Sequence, residues 1–210
     1  VNRSYHHGDL KNALLDAASA LVAEQGVDAV TMSKVAARSK VSSGAPYRHF
    51  KDRQALLRAL AHRAAARLGE RLVAVVAAAP DHAEAFRRSG VEYVRFAVED
   101  PASFKLLSRG ELIDPSDLPP GRTGDRAFVD GLAKLLEDTS PDEPLDAGSP
   151  FIHQLAARCM VHGLAYYFVD GALAALGSEQ ATRLAEALTH AFGSPGGPER
   201  FDLGNWSREE

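Results

Sequence analysis

The chain has 210 residues, 45% of them apolar and 25% charged, with a formal net charge of −4, a balance that suits a soluble globular protein and excludes wholesale disorder. Its longest aliphatic run, Leu72 to Ala79, is far short of the ~20 residues a membrane span needs; the N-terminus shows no apolar signal segment, so a soluble, cytoplasmic protein is expected. Charge is uneven: residues 1–62 hold nine Lys/Arg against five Asp/Glu, and the remaining 148 hold fifteen against twenty-three, the pattern of a small polyanion-binding module on an acidic body.

Helical periodicity dominates, and no run alternates cleanly over strand length. Leu10, Leu14, Ala17 and Leu21 recur at helical steps. Asp9 can cap their helix and Gly26 stands where it should stop, giving a first helix over about 9–25. Thr31 or Ser33 caps a short second helix that carries Val35 and Ala36 and ends near Ser39. Ser42 or Ser43 then caps a short third helix with Pro46 in its first turn, where a missing N–H is tolerated. Gly44 leaves the entry of that helix nearly bare. Small side chains, two hydroxyls and a positive helix end suit a phosphate backbone or the groove beside it. Asp52 caps a long fourth helix, about 26 residues, with the stripe Leu57, Leu60, Ala64, Leu68, Leu72 and Val75. That length carries it beyond the basic module into the body.

Further helices are expected near 82–99, 101–109, 123–138, 149–176 and 178–193. Loops from Asp114 to Gly124 and from Thr139 to Pro150 interrupt them, and the tail from Ser194 reads as frayed. Cys159, the only cysteine, sits in the 149–176 segment, so neither an internal disulfide nor a thiolate-rich metal site can form. No metal-ligand spacing follows His6-His7, and no cofactor motif is present. The expected architecture is all-α: a helix-turn-helix domain over 1–51, a helical body over 52–193 and a flexible tail over 194–210.

The set Gly26, Thr31, Val35-Ala36, Val41-Ser42, Gly44, Tyr47, His49-Phe50, Arg53 and Leu56-Leu57 resembles the signature of the TetR family of bacterial transcriptional regulators. In the body, His162-Gly163 followed by Asp170-Gly171 looks weakly like the ligand domain of a TetR subgroup named for a Trp-His-Gly motif. Glycine is frequent in the family where Lys40 stands, and an aliphatic residue where Pro46 stands. The resemblance implies a homodimer that binds a double-stranded operator and releases it when a small molecule enters the body.

On that resemblance Tyr47 and His49 donate to phosphates, Lys51 adds a cation, and Ser42, Ser43, Gly44 and Ala45 face the groove. Thr31 and Ser33 can cap and touch phosphate together, Phe50 belongs to the core, and Arg3, Tyr5 and His6 could form an arm along the duplex. A ligand pocket could draw on Phe96, Phe104, Phe128, Arg158, His162 and Tyr166. Pairing of two chains through the last two long helices would use Leu164, Phe168, Ala172, Leu176, Leu184, Leu188 and Phe192. Two other classes compete. A helical enzyme acting on a small acid would use His162 as base and Arg158 as anion clamp, but no nucleophile–base pair or paired carboxylates support it. A nonspecific nucleoid-coating protein is disfavoured by the acidic body.

Overall fold

The computed structural model describes residues 7–112, 133–140, 143–146 and 148–193. Within them all regular secondary structure is helical, without strands. In order run α1 (His7–Gln25), α2 (Met32–Arg38), α3 (Arg53–Ala77), α4 (His82–Glu99), α5 (Pro101–Leu107), α6 (133–138), α7 (Pro150–Val169) and α8 (Ser178–Gly193). Single 3-10 turns occupy Val27–Ala29, Pro46–Arg48 and Gly110–Leu112.

Contacts group the chain into two units, Val1–Glu70 with Glu99–Leu145, and Arg71–Val98 with Asp146–Glu210. The expected boundary at 51/52 falls inside the first unit, and the division cuts α3 between Glu70 and Arg71.

In the first unit, Leu14, Ala18, Leu21 and Val22 of α1 meet Val35 of α2 and Leu56, Leu57, Leu60 and Ala61 of α3 in one buried cluster. Ala102 and Leu106 of α5 and Leu112 join the same cluster. A segment expected in the body thus helps to build the helix-turn-helix core. Burial of each leucine or valine among them contributes about 1.5–3 kcal/mol. Gly26 ends α1 with φ 82, a left-handed angle that glycine adopts freely, and its N–H reaches the Val22 carbonyl at 2.9 Å.

The end of α2 is more unusual. Lys40 N–H donates to the Ala37 carbonyl (3.1 Å) and Val41 N–H to the Ala36 carbonyl (3.0 Å), the paired bonds of a Schellman stop. Lys40 holds its left-handed position, φ 56. Glycine would sit there freely; a side chain costs about 1–2 kcal/mol.

Two expected helices are shorter than their sequence pattern. The third is a single turn, Pro46–Arg48, with Ala45 at its cap and no capping side chain, so neither Ser42 nor Ser43 caps it. Pro46 has no N–H to donate to Ser42, whose carbonyl instead accepts from Ala45 at 2.9 Å in a tighter turn. The helix expected over 149–176 stops at Val169. Leu173 N–H folds back to the Tyr167 carbonyl at 3.0 Å, and a Cβ on Gly171 would lie 2.7 Å from the Tyr167 Cα. Only glycine fits that reversal. Residues 113–132 and 194–210, with the loop expected from Asp114 to Gly124, most of the helix expected over 123–138 and the tail, lie outside the described residues.

In the second unit α8 buries Ala181, Ala185 and Thr189, spaced by four. Gly90 lets α4 approach closely there, since a Cβ on it would lie 2.7 Å from Thr189 Cγ2. Glu92 is buried between Arg71 and Arg95, and Arg71 also stands 5.6 Å over the Phe96 ring.

Candidate nucleic-acid interface

The turn after α2 presents aromatic residues in two opposite ways. Phe50 is buried at 4% exposure with Lys11 Nζ 6.0 Å over its ring, whereas Tyr47, three residues earlier on the Pro46–Arg48 turn, is 57% exposed. Burying Pro46 and Phe50 in one short turn forces the intervening Tyr47 and Arg48 outward. Ser42, Ser43, Gly44 and Lys51 are exposed as well, while Ala45 and His49 are half-buried. Thr31 and Ser33 are exposed at the start of α2, and Thr31 Oγ1 accepts from the Lys34 N–H at 3.2 Å, the expected cap. The arm expected from Arg3, Tyr5 and His6 lies outside the described residues.

Ion pairs sort the excess positive charge. Arg38 Nη1 and Nη2 donate to Glu24 at 2.7 and 2.5 Å, a bidentate pair across α1 and α2 that holds the Glu24 carboxyl below its usual range. Lys34 reaches Gln25 (2.9 Å) and Arg63 reaches Asp16 (2.6 Å). Arg53 Nε donates to the Val30 carbonyl (2.7 Å) and Nη2 to the Val27 carbonyl (2.9 Å), fixing the turn that leads into α2. Arg109 donates to Asp28 on that turn at 2.8 Å, and this hydrogen bond is the largest cause lowering the Asp28 carboxyl. Among the described residues Lys40, Arg48 and Lys51 have no such partner. Of these three, only Lys51 is among the contacts expected from the sequence. Lys40 and Arg48 carried a signal in their position beside the small-residue stretch, but telling engaged from free cations needs the folded pairing.

The residues expected to line a ligand pocket fall in both units. Phe104 is buried in the first unit and Phe96 in the second, Phe128 lies outside the described residues, and Arg158, His162 and Tyr166 are exposed on α7. His162 Nδ1 stands 2.8 Å from the Tyr93 hydroxyl. The second unit instead holds a cleft of about 720 Å³ that none of these residues lines. Arg87, Arg88, Arg95 and Arg183 surround it with Glu84, Glu92, Glu186 and His190. Glu84 pairs with both Arg88 and Arg87, which lowers its carboxyl.

Among the residues expected at a chain–chain interface, Leu164 and Phe168 are buried on α7 within a single chain. Ala172 and Leu176 are exposed but lie in the turn after α7, and Leu184 and Leu188 are each 38% exposed on α8. The Phe192 side chain is outside the described residues.

The family model for bacterial regulatory proteins, tetR family, matches residues 14–60. No curated protein is significantly similar in sequence. Among solved structures, a protein with unknown function from Rhodococcus sp. RHA1 is 28% identical with a TM-score of 0.63, over 91% of this chain and 97% of its own. A TetR-family regulator from Pectobacterium atrosepticum is 22% identical at TM-score 0.56, covering 86% and 92%. One from Marinobacter aquaeolei VT8 is 16% identical at 0.59, covering 87% and 94%. The last two likenesses concern the fold alone.

Proposed function

Because this chain belongs, through residues 14–60, to the TetR family of bacterial regulatory proteins and is a DNA-binding transcriptional regulator, we propose that it acts as a ligand-released repressor in the cytoplasm. Two copies hold a palindromic operator, and a small molecule entering the helical body releases it. The observation that carries the reading is the coincidence of the family match with a unit whose exposed turn presents Tyr47 outward and Phe50 inward. Residues 1–51 read DNA, with contacts from Thr31, Ser33, Ser42, Ser43, Gly44, Ala45, Tyr47, His49 and Lys51, and 52–193 take ligand and partner.

Pairing uses the outer face of α8. That helix buries Ala181, Ala185 and Thr189 and leaves Leu184 and Leu188 in solvent, a second apolar stripe that a second chain would cover. The effector site is the cleft lined by four arginines and three glutamates, in which Arg183, without an ion pair among the described residues, suits an acid group on a small molecule. Its entry acts through α3, the helix shared by both units, with a coupling of about 1–3 kcal/mol that changes operator affinity about 5- to 150-fold. We read the protein as a regulator without catalytic chemistry or cofactor.

Selection from a randomised duplex library at near-physiological salt tests the reading. A palindrome with half-sites about 34 Å apart supports it. Retention without any enriched sequence would replace it with nonspecific coating.

A further inference from the structure

Lys40 is the only non-glycine residue with a left-handed backbone among the described residues. It occupies the position after α2 that a Schellman stop reserves for glycine, and its two stop bonds are made by the main chain, which any residue supplies. Among the described residues no side-chain bond of Lys40 offsets the backbone strain. The lysine is exposed and its ammonium has no ion-pair or hydrogen-bond partner among the described residues. Its neighbours differ: Arg38 is held by Glu24, Lys34 by Gln25, Arg53 by two carbonyls and Arg63 by Asp16.

A free cation on a strained main-chain position, two residues before the exposed Ser42, is set for an anion supplied from outside the chain. On the DNA-binding reading, on which this inference rests, that anion is on the duplex. We propose that Lys40 binds a DNA backbone phosphate, and that this contact is why a lysine stands where the backbone favours glycine. Such a contact carries no sequence information, so it strengthens binding to operator and unrelated duplex alike and adds to the salt dependence.

Binding of the full chain to its selected operator and to an unrelated duplex of the same length, measured from about 50 to 200 mM KCl, tests the proposal. Wild type is compared with Lys40→Gly, Lys40→Asn, Lys40→Arg and Tyr47→Phe, and thermal unfolding is followed in parallel. Glycine and asparagine both accept the left-handed backbone, so neither variant threatens the fold. Lys40→Gly is expected to raise Tm by about 2–4 °C while weakening both duplexes by the same factor. For Lys40→Gly and Lys40→Asn the plot of log affinity against log salt becomes shallower by about 0.9 for each protomer, and Lys40→Arg keeps the wild-type slope. An unchanged slope and affinity in Lys40→Gly and Lys40→Asn, with Tyr47→Phe weakened, overturns the phosphate contact and leaves the DNA reading standing. A wild-type chain that retains no duplex overturns both.

Discussion

Tyr47 and Phe50 show what a single residue can and cannot reveal. Both are aromatic and three positions apart, yet one lies in solvent and the other in the core. At 57% exposure Tyr47 is not a packing residue, and its hydroxyl is free to donate. Tyr47→Phe is therefore expected to lower operator affinity with Tm unchanged; equal affinity in a titration of the two proteins would strike Tyr47 from the contacts. Arg53 belongs to the opposite class. It stands beside the exposed turn but spends its guanidinium on the Val30 and Val27 carbonyls, so its task is to hold the entry to α2. Arg53→Ala should destabilise the fold by about 1–3 kcal/mol in urea unfolding, and Arg53→Lys should recover only part, because an ammonium cannot reproduce the forked geometry. Full recovery by lysine would contradict that role.

Elements end where local chemistry ends them, and the structure places those ends more tightly than periodicity does. Thr31 caps α2 through the Lys34 N–H, and Thr31→Ala should cost about 1 kcal/mol of stability in the same unfolding experiment. Pro46 reduces the third helix to one turn, and Gly171 stops α7 seven residues before the apolar pattern fades. Ion pairs then tie elements together. Glu24 with Arg38 joins α1 to α2, and Asp28 with Arg109 joins the Val27–Ala29 turn to the segment after α5. Both carboxyls are held below their ordinary values by these hydrogen bonds, so the stabilisation is complete above the ordinary carboxylate range and is lost as pH falls through the lowered folded values. Tm of the wild type should fall more steeply over that acid window than Tm of the Glu24→Gln, Asp28→Asn double variant. Parallel curves would show that neither pair contributes.

At the scale of the whole molecule, the two units have different work. The first carries the exposed turn with Tyr47 on a core that recruits α5, and the second carries the cleft lined by arginines and glutamates and the outer stripe of α8. If that stripe is the pairing surface, Leu188→Glu should shift the protein from dimer to monomer in sedimentation at micromolar concentration. It should also weaken operator binding steeply, since one recognition turn would face a site built for two. A dimer that persists in Leu184→Glu, Leu188→Glu would move the interface elsewhere.

The sequence by itself determined the all-α class, the positions of the first four helical segments and the polar residues that stand exposed between Thr31 and Lys51, because these follow from local periodicity and turn chemistry. The family signature was legible for the same reason: its residues lie within one short stretch. Only the tertiary structure decided that α5 joins the core of the first unit, that Leu164 and Phe168 face inward, that Phe96 and Phe104 belong to separate units, and which cations remain free. Each of those outcomes depends on which residues distant in the chain meet, and apolar periodicity, which records that a face is buried, does not name the surface that buries it.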